Sequence, residues 1–589
     1  MDIVAENGYL GILKWMDVNT SEGCTISAMD GAAKEGHLPV LMWLHRYRAE
    51  GCSVRAMDNA AEKGHLSVLE WLHENRVEGC STRALDAACK NGYLEVVQWL
   101  HLNRSDCLGF TLEAMSSAAL HGHLHVVEWL HGNRCEGGGV WSMDYAAERG
   151  HLSVLEFLHH NRTEGCTKKA MGSAAAKGHL RIVEWLHYFR DEGCNAGAMN
   201  FAALGGHFEV IKWLHTHRSE GCTPLAMNYA AMAGHFEILE WLHFHRAEDC
   251  ANLDFAMDFA AANNHLQALE WLHTNRPWGC TKQAMDMAAT NGHLPVVEWL
   301  HTNRHEGCSV SAMNGAASSG HLQVLEWLNS HRAEGCTFQA MNSAAGNGFL
   351  PIVKWLHANT SEGCSAHAMD CAAQNGHLAV VRWLHENRSE GCTKLAVEGA
   401  AGNGHLDMVE WLLLNRSEGD TESGIEAAAT GGYLNIIDYL YRQHLPRELE
   451  TISFAVDVAA GQGHLSVVEY LFARSSSSIF CTPAALKISA ENGHLIVVEW
   501  LIRCNALSQA LLPEQVQKDW IAPAIYSASK NYHIVVARWL ATNCSADNTI
   551  FHCLEAARLE RRPSVADLME HRVFHKTLSE NQDEGMQSK

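Results

Sequence analysis

The sequence predicts an all-α solenoid of about 19 stacked helix-turn-helix repeats with little or no β-strand. The first observation is a recurring glycine step, for which 19 anchor positions run from Gly8 to Tyr532. Of the 18 gaps between these anchors, 13 are 28 residues long. The second observation is that the apolar residues within each unit follow helical spacing. A fixed period in this range is typical of a solenoid, in which each unit packs only on its neighbours.

The unit from Cys280 to Gly307 illustrates how each repeat is built. Thr281 is predicted to cap the first helix, and Asp286 lies early in it, where the helix dipole favours an anion. Gly292 is predicted to end that helix in the left-handed conformation. The segment His293–Arg304 is predicted to form a second helix with one apolar face, and the next three residues turn the chain.

The segment AMDMAATNGHLPVVEWLHTN, from Ala284 to Asn303, resembles the ankyrin repeat with its AAxxGHLxVVxxLL core. The resemblance extends to about residue 542 and fits a short, Trp-rich repeat subtype. The TPLH tetrapeptide of ankyrin repeats is absent, and the unit is about five residues shorter than the usual 33. The resemblance therefore implies an ankyrin-like stack with trimmed hairpin fingers and no β-sheet.

The regularity of the repeat divides the chain into four predicted segments. They are regular repeats at 1–418, degenerate repeats with longer loops at 419–545, capping helices at 546–578 and a disordered tail at 579–589. Further irregularities are expected as two-residue insertions near Leu108-Gly109 and Asn252-Leu253, longer connections at Tyr441 to Ser453 and Ser475 to Ser478, and an insertion from Leu507 to Ile521 that forms a helix.

The formal net charge of −23 argues against a protein built to bind nucleic acid, which needs a basic surface. No apolar run is long enough to span a membrane, and the first residues show no signal peptide. Met1-Asp2 aligns with Met29-Asp30, so the chain is expected to begin inside a first helix. We expect an intracellular monomer, in the cytoplasm, without cofactor or metal.

Several residue types recur at fixed positions of the repeat. Trp occupies one position of the second helix in 16 of 19 units, and 13 of the 20 cysteines share another position. Equivalent residues of stacked units lie about 8–10 Å apart, too far for a disulfide. We therefore expect reduced, buried cysteines. The histidines, such as His37 and His45, and the pairs such as Arg76 and Glu78 are also predicted to be structural, the ion pairs as exposed contacts.

The sequence contains no GxxxxGK, GxSxG or HExxH motif, and its Cys and His residues belong to the repeated positions. We therefore predict that the protein is not an enzyme. A Cys–His nucleophile pair has no support in the sequence.

Positions that differ between otherwise similar units are the candidates for function. They are the two residues before each glycine, which in ankyrin-like stacks project onto the concave face, and the position five before it, which turns aromatic in the middle of the chain. The candidate partner-binding residues, over about 141–291, are Trp141, Tyr145, Glu148, Arg149, Phe201, Leu204, Tyr229, Met232, Phe255, Phe259, Met287, Thr290 and Asn291. The rings either form an exposed apolar patch or pack beneath the first helices.

The favoured function is a non-catalytic scaffold that binds protein partners on the concave face. Two alternatives stay open. One is a substrate-recruiting subunit of an enzyme complex, such as a ubiquitin ligase, that docks through its degenerate C-terminal units. The other is a mechanical spacer in which length matters more than any site.

Overall fold

The computed structural model describes residues 1–20, 23–104, 113–133, 138–246, 255–275, 279–443, 449–474, 483–507, 520–531, 533 and 536–540. Over these residues the regular structure is helical and contains no strand. The predicted all-α repeat solenoid is thus confirmed. The expected capping helices at 546–578, the tail at 579–589, both two-residue insertions and the connection from Ser475 to Ser478 lie outside the described residues.

Each repeat contributes a first helix and a second helix. In chain order the helices are α1 (Asp2–Glu6), α2 (Leu10–Asn19), α3 (Ile26–Lys34), α4 (Leu38–Tyr47), α5 (Arg55–Lys63), α6 (Leu66–Asn75), α7 (Thr82–Asn91), α8 (Leu94–Asn103), α9 (Glu113–Leu120), α10 (Leu124–Asn133), α11 (Trp141–Arg149), α12 (Leu152–Asn161), α13 (Lys168–Ala176), α14 (Leu180–Phe189), α15 (Gly197–Leu204), α16 (Phe208–His217), α17 (Leu225–Ala233), α18 (Phe236–His245), α19 (Ala256–Ala262), α20 (Leu266–Asn275), α21 (Lys282–Thr290), α22 (Leu294–Asn303), α23 (Val310–Ser319), α24 (Leu322–His331), α25 (Phe338–Gly346), α26 (Leu350–Asn359), α27 (Ala366–Gln374), α28 (Leu378–Asn387), α29 (Leu395–Gly402), α30 (Leu406–Asn415), α31 (Thr421–Gly431), α32 (Leu434–Gln443), α33 (Leu449–Gln462), α34 (Leu465–Arg474), α35 (Pro483–Glu491), α36 (Leu495–Leu507) and α37 (Ala522–Lys530).

The chain forms two compact units. The first comprises Met1–Met285 and Glu298–Gly307, and the second comprises Asp286–Val297 and Cys308–Lys589. Within each unit the first helix of one repeat packs on the first helix of the next, as α13 does on α15 and α27 on α29. First helices also pack on the second helices of their own repeats, as α13 does on α14 and α27 on α28.

The core combines small residues from the first helices with larger aliphatic residues from the second helices. Ala174 and Ala175 of α13 are fully buried, as is Val183 of α14, and Leu186 is 1% exposed. The alanines allow neighbouring first helices to approach closely, while the branched side chains fill the space behind them. This alternation recurs from α3 to α30, which explains why the hydrophobic pattern alone predicts the fold.

The predicted ends of the helices are confirmed in the unit that begins at Cys280. Thr281 Oγ1 accepts a hydrogen bond from Gln283 N at 3.1 Å and so caps α21. Gly292 follows that helix with φ +78°, the left-handed value expected at a helix end. Asn264 takes the place of this glycine in another repeat and adopts φ +63°.

The degenerate region differs in one connection from the expectation. Tyr441 to Ser453 was expected to be a long loop, but α32 extends to Gln443 and α33 begins at Leu449. Tyr441 to Gln443 therefore belong to α32 and Leu449 to Ser453 to α33. Of the insertion expected from Leu507 to Ile521, residues 508–519 lie outside the described residues.

Candidate functional site

Consecutive first helices are linked by a hydrogen-bonded pair of side chains 23 residues apart. Asp144 Oδ1 accepts a hydrogen bond from Thr167 N at 2.8 Å, and Asp144 Oδ2 accepts one from Thr167 Oγ1 at 2.7 Å. Asn200 makes the equivalent pair with Thr223. Asp286, predicted to act through the helix dipole, likewise accepts both bonds from Ser309. The acid therefore fixes the cap of the next repeat.

The Arg–Glu pairs after the second helices are partly buried, so the expectation of exposed pairs was wrong. Arg218 Nε donates to Glu220 Oε2 at 3.2 Å, and the two side chains are 22% and 23% exposed. Arg218 Nη1 also lies 3.3 Å from His187 Nδ1 of the preceding repeat. Burial acts to raise the pKa of Glu220, but hydrogen bonds from Arg218 and from backbone N–H groups outweigh it and lower the pKa to about 2. Each pair thus ties one repeat to the previous one.

The histidine that follows most of the repeated glycines connects neighbouring repeats. His235 Nε2 lies 3.2 Å from Leu204 O of the preceding repeat. Its ring covers Gly206, where an added Cβ would lie 2.6 Å from His235 Cε1. Burial lowers the pKa of the equivalent histidines His151 and His207. These rings therefore pack between neighbouring repeats.

The tryptophans of the second helices pack against histidines of the preceding repeat. His187 meets Trp213 edge-on at 5.2 Å between ring centroids, and His215 meets Trp241 at 5.0 Å. The second histidine series and the tryptophan series therefore belong to one packing arrangement. These rings form the interface between second helices.

The repeated cysteines are free thiols in the described residues, and nearly all are buried. Burial raises the pKa of Cys52 and of Cys166 to about 12. Thiols with such pKa values are poor nucleophiles and poor metal ligands at neutral pH. Cys107 and Cys250, which belong to the same series in the sequence, lie outside the described residues.

The thirteen candidate partner-binding residues all lie on or beside first helices, and none of them is buried. Seven are exposed: Trp141, Tyr145, Arg149, Phe201, Phe255, Met287 and Asn291. Six are half-buried: Glu148, Leu204, Tyr229, Met232, Phe259 and Thr290. Ten of the thirteen belong to the first unit, and Met287, Thr290 and Asn291 belong to the second.

The aromatic candidates contact one another along and between helices. Phe201 of α15 and Tyr229 of α17 stack with centroids 5.8 Å apart and an angle of 23° between their planes. Phe255 and Phe259 lie 6.3 Å apart at the start of α19. Because the rings remain partly in solvent, they do not pack beneath the first helices. They form a partly exposed apolar surface.

Part of this surface lies on three consecutive first helices that contain almost no charged residues. In α15, α17 and α19, Asp258 is the only acidic or basic side chain. Asp258 is 2% exposed, and its carboxylate accepts two hydrogen bonds from Thr281. The exposed face of these helices is therefore uncharged. Leu225, 46% exposed, also belongs to it. The sequence reasoning missed Leu225, although its position nine before the glycine is that of Trp141.

Cys371 contacts a histidine in the second unit, a pair that the sequence analysis did not predict. Cys371 Sγ lies 3.2 Å from His367 Nε2, one turn earlier on α27. The pair lines a groove of about 270 Å³ together with Asp370 and Glu398. Burial and the neighbouring Asp370 raise the pKa of Cys371. The thiol is therefore not activated for nucleophilic catalysis.

Within the described residues, no group of three or more His, Cys, Asp or Glu side chains is arranged to hold a metal ion. Nor is any helix described there both long and apolar enough to cross a membrane.

Two sequence profiles match successive segments of the chain. The profile described as ankyrin repeats (many copies) matches residues 29–73, 57–101, 85–131, 143–187, 257–301 and 315–357. The profile described as ankyrin repeats (3 copies) matches 171–254 and 341–423. Together the segments cover more than half of the chain. No curated protein matches the chain significantly.

Among solved structures, the chain is similar to the pentatricopeptide repeat protein PPR10 from maize. The identity is 12%, the match covers 98% of this chain and 99% of that chain, and the TM-score is 0.28. Two structures of PPR10 with an 18-nt psaJ RNA element match with 12% identity, 98% and 97% coverage and a TM-score of 0.32. TM-scores this low carry no inference about the fold or ligands of this chain.

Proposed function

Because the chain belongs to the ankyrin-repeat family, we propose that it is a non-catalytic scaffold that binds protein partners. The proposed binding residues lie on the faces of first helices over about residues 141–291, ten of them in the first unit and three in the second. The observation that carries this proposal is the uncharged, partly exposed face of α15, α17 and α19. A soluble surface normally keeps its large aromatic side chains apart, and an apolar cluster of this kind supports a binding role.

The other repeated surfaces are already used for packing. The Asp–Thr pairs, the Arg–Glu pairs and the histidine and tryptophan series each recur and each contact the neighbouring repeat. A partner needs features that differ from one repeat to the next, and the first-helix face supplies them. Phe201, Tyr229 and Phe259 are aromatic where Ser343 and Gly399 stand in other repeats.

The buried cysteine series supports a reducing location for this scaffold. At least ten of these thiols are buried and free, and thiols at such density are kept reduced inside cells.

The proposal is tested by affinity capture with mass spectrometry, comparing the unmodified chain with a triple variant on the first-helix face. Tyr145→Glu, Tyr229→Glu and Thr290→Glu place charges on both units without touching buried residues. We expect the main partners to be lost while the circular dichroism spectrum and thermal midpoint stay the same.

The matched control places the same charges on exposed apolar residues away from that face. Val77 lies in a connection and is 98% exposed, and Leu102 and Leu414 lie on second helices with 78% and 79% exposure. The triple glutamate variant of these residues should capture the same partners as the unmodified chain. Retention of every partner by a folded Tyr145, Tyr229 and Thr290 variant would contradict the proposal.

A further inference from the structure

A group of exposed cations lies beside the uncharged face in the first unit. Lys168 and Lys177 mark the two ends of α13, and Arg149 ends α11; all three are exposed. No carboxylate of the described residues lies within ion-pair distance of any of them. Helix α13 and its cap carry three lysines and no acid. In a chain of net charge −23, this local basic group stands out.

Lys169, the third lysine of α13, is held against an aromatic ring. Its Nζ lies 5.0 Å from the centroid of Trp141 on α11. Trp141 in turn stacks on Tyr145 at 6.3 Å. The cation–π contact keeps this lysine on the first-helix face, in the same row as Leu225 and Phe255. We call Arg149, Lys168, Lys169 and Lys177 the basic patch.

The basic patch adjoins the uncharged face directly. Helix α13 packs on α15, α15 packs on α17, and α17 packs on α19. Adjacent packed helices lie about 8–10 Å apart, so α13 and α17 are separated by about 20 Å. An extended peptide spans this distance in roughly six residues at ~3.3 Å per residue.

We propose that this surface binds a partner segment that has acidic residues at one end and large apolar residues about six positions away. This inference rests on the proposed scaffold function and names the chemistry of the partner. The acidic end pairs with Arg149, Lys168 and Lys177, which have no ion-pair partner among the described residues. The apolar end covers Phe201, Leu225 and Phe255, each close to half exposed. The difference in charge between the basic patch and the uncharged face determines which end of the partner segment binds each of them.

A single-stranded nucleic acid would also combine cations with aromatic rings, but the geometry favours a peptide. A base inserted between two rings needs about 7 Å between their planes, twice the usual stacking distance, whereas Phe201 and Tyr229 already stack on each other at 5.8 Å. The basic patch also provides only four cations, and phosphate binding without sequence preference depends on tracking many phosphates.

The test uses the full-length protein and four fluorescein-labelled synthetic 14-residue peptides, measured by fluorescence anisotropy. One peptide carries Glu-Asp-Glu, a six-residue Gly-Ser spacer and Leu-Phe-Leu-Trp-Leu, and the second is its reverse sequence. The third replaces the acids with lysines, and the fourth replaces the apolar residues with serines. A labelled 12-nucleotide oligouridine is the fifth probe. We expect one of the two acidic–apolar peptides to bind at least tenfold more tightly than the other probes, and this preference to weaken as salt rises.

The chain offers matched control variants for both patches. Lys394 and Lys63 occupy the repeat positions of Lys168 and Lys177, and Leu395 occupies that of Leu225, with 49% against 46% exposure. Lys168→Glu with Lys177→Glu, and separately Leu225→Glu, should each weaken binding at least tenfold. Lys63→Glu with Lys394→Glu, and Leu395→Glu, should leave it unchanged.

Failure of this inference is distinguishable from failure of the scaffold proposal. Equal binding of the acidic and lysine peptides, tighter binding of the oligouridine, or equal effects of test and control variants would overturn the acidic–apolar assignment. The scaffold proposal would survive any of these results if the Tyr145, Tyr229 and Thr290 variant still lost its captured partners. Absence of binding by every peptide overturns the assignment as well.

Discussion

Asp144 Oδ1 and Oδ2 together accept both the backbone N–H and the hydroxyl of Thr167, at 2.8 and 2.7 Å. The acid is 3% exposed, so both bonds are shielded from water. The same threonine caps α13 by accepting a hydrogen bond from Lys169 N. One carboxylate therefore positions the start of the next helix, and with it the lysines of the basic patch.

Asp144→Ala should destabilise α11 and α13 locally. The change leaves the N–H and hydroxyl of Thr167 without their buried partner, at a cost of about 1–3 kcal/mol. Hydrogen–deuterium exchange of peptides from these helices should become faster, by roughly 5- to 150-fold. Asp144→Asn is the control, because Asn200 and Asn342 make the equivalent bonds in other repeats. An unchanged exchange rate for Asp144→Ala would show that the pair contributes nothing.

Gly206→Ala should loosen the contact between two repeats. Gly206 has φ +76°, and an added Cβ would lie 2.6 Å from His235 Cε1. The left-handed backbone alone costs about 1–2 kcal/mol for alanine. The loss of stability is measured as faster hydrogen–deuterium exchange in α15 to α18. Gly132→Ala is the control, since no atom lies within 4 Å of the added Cβ in α10, and it should slow exchange slightly.

The cysteine series should resist alkylation in the folded protein. A thiol whose pKa is about 12, as for Cys166, is ionised in roughly one molecule in 10⁴ at pH 8. Iodoacetamide followed by peptide mass spectrometry should therefore modify the half-buried Cys371 well before Cys166. In urea the two should react at similar rates. Rapid labelling of Cys166 without denaturant is the result that would refute burial of this series.

Stability should decrease as the pH falls below about 6.5, the ordinary histidine value. Burial lowers the pKa of His123, His151 and His207. The folded state therefore binds protons less readily than the unfolded state. The contribution of these neutral histidines to stability is complete above pH 6.5. It is lost as the pH falls through the lowered values. Urea midpoints between pH 7.5 and 5.5 measure this loss.

A variant without these three histidines separates this effect from that of the carboxyl groups. Tyr93 occupies the same position in one repeat, so the triple change of His123, His151 and His207 to Tyr should flatten the pH dependence. The carboxyl groups act differently: hydrogen bonds lower the pKa of Glu334 to about 2, and its contribution is lost only below pH 4.5. Burial raises the pKa of Asp258, so this group stabilises the folded state more as the pH falls. That effect remains in the variant. An unchanged pH slope in the triple variant would contradict the prediction.

Much of the fold follows from the repeat itself. The cap at Thr281, the left-handed Gly292 and the apolar spacing in each helix are local signals, and each was predicted correctly. The packing of Trp213 against His187 was also predictable, since a residue repeated in almost every unit serves the stack. The long loop expected at 441–453 was wrong at both ends, because the weakened repeat does not mark where α32 ends and α33 begins.

The sequence by itself determined the helices, their ends and the positions free to vary, because these depend on residues close together in the chain. Only the tertiary structure decided which of the variable residues reach solvent. The exposure of Phe201 and Phe255 depends on how closely adjacent first helices approach, and the partners of Asp144 and Arg218 lie in neighbouring repeats. Contacts 23 to 31 residues apart are set by the stacking of whole units, which spacing within one unit does not encode.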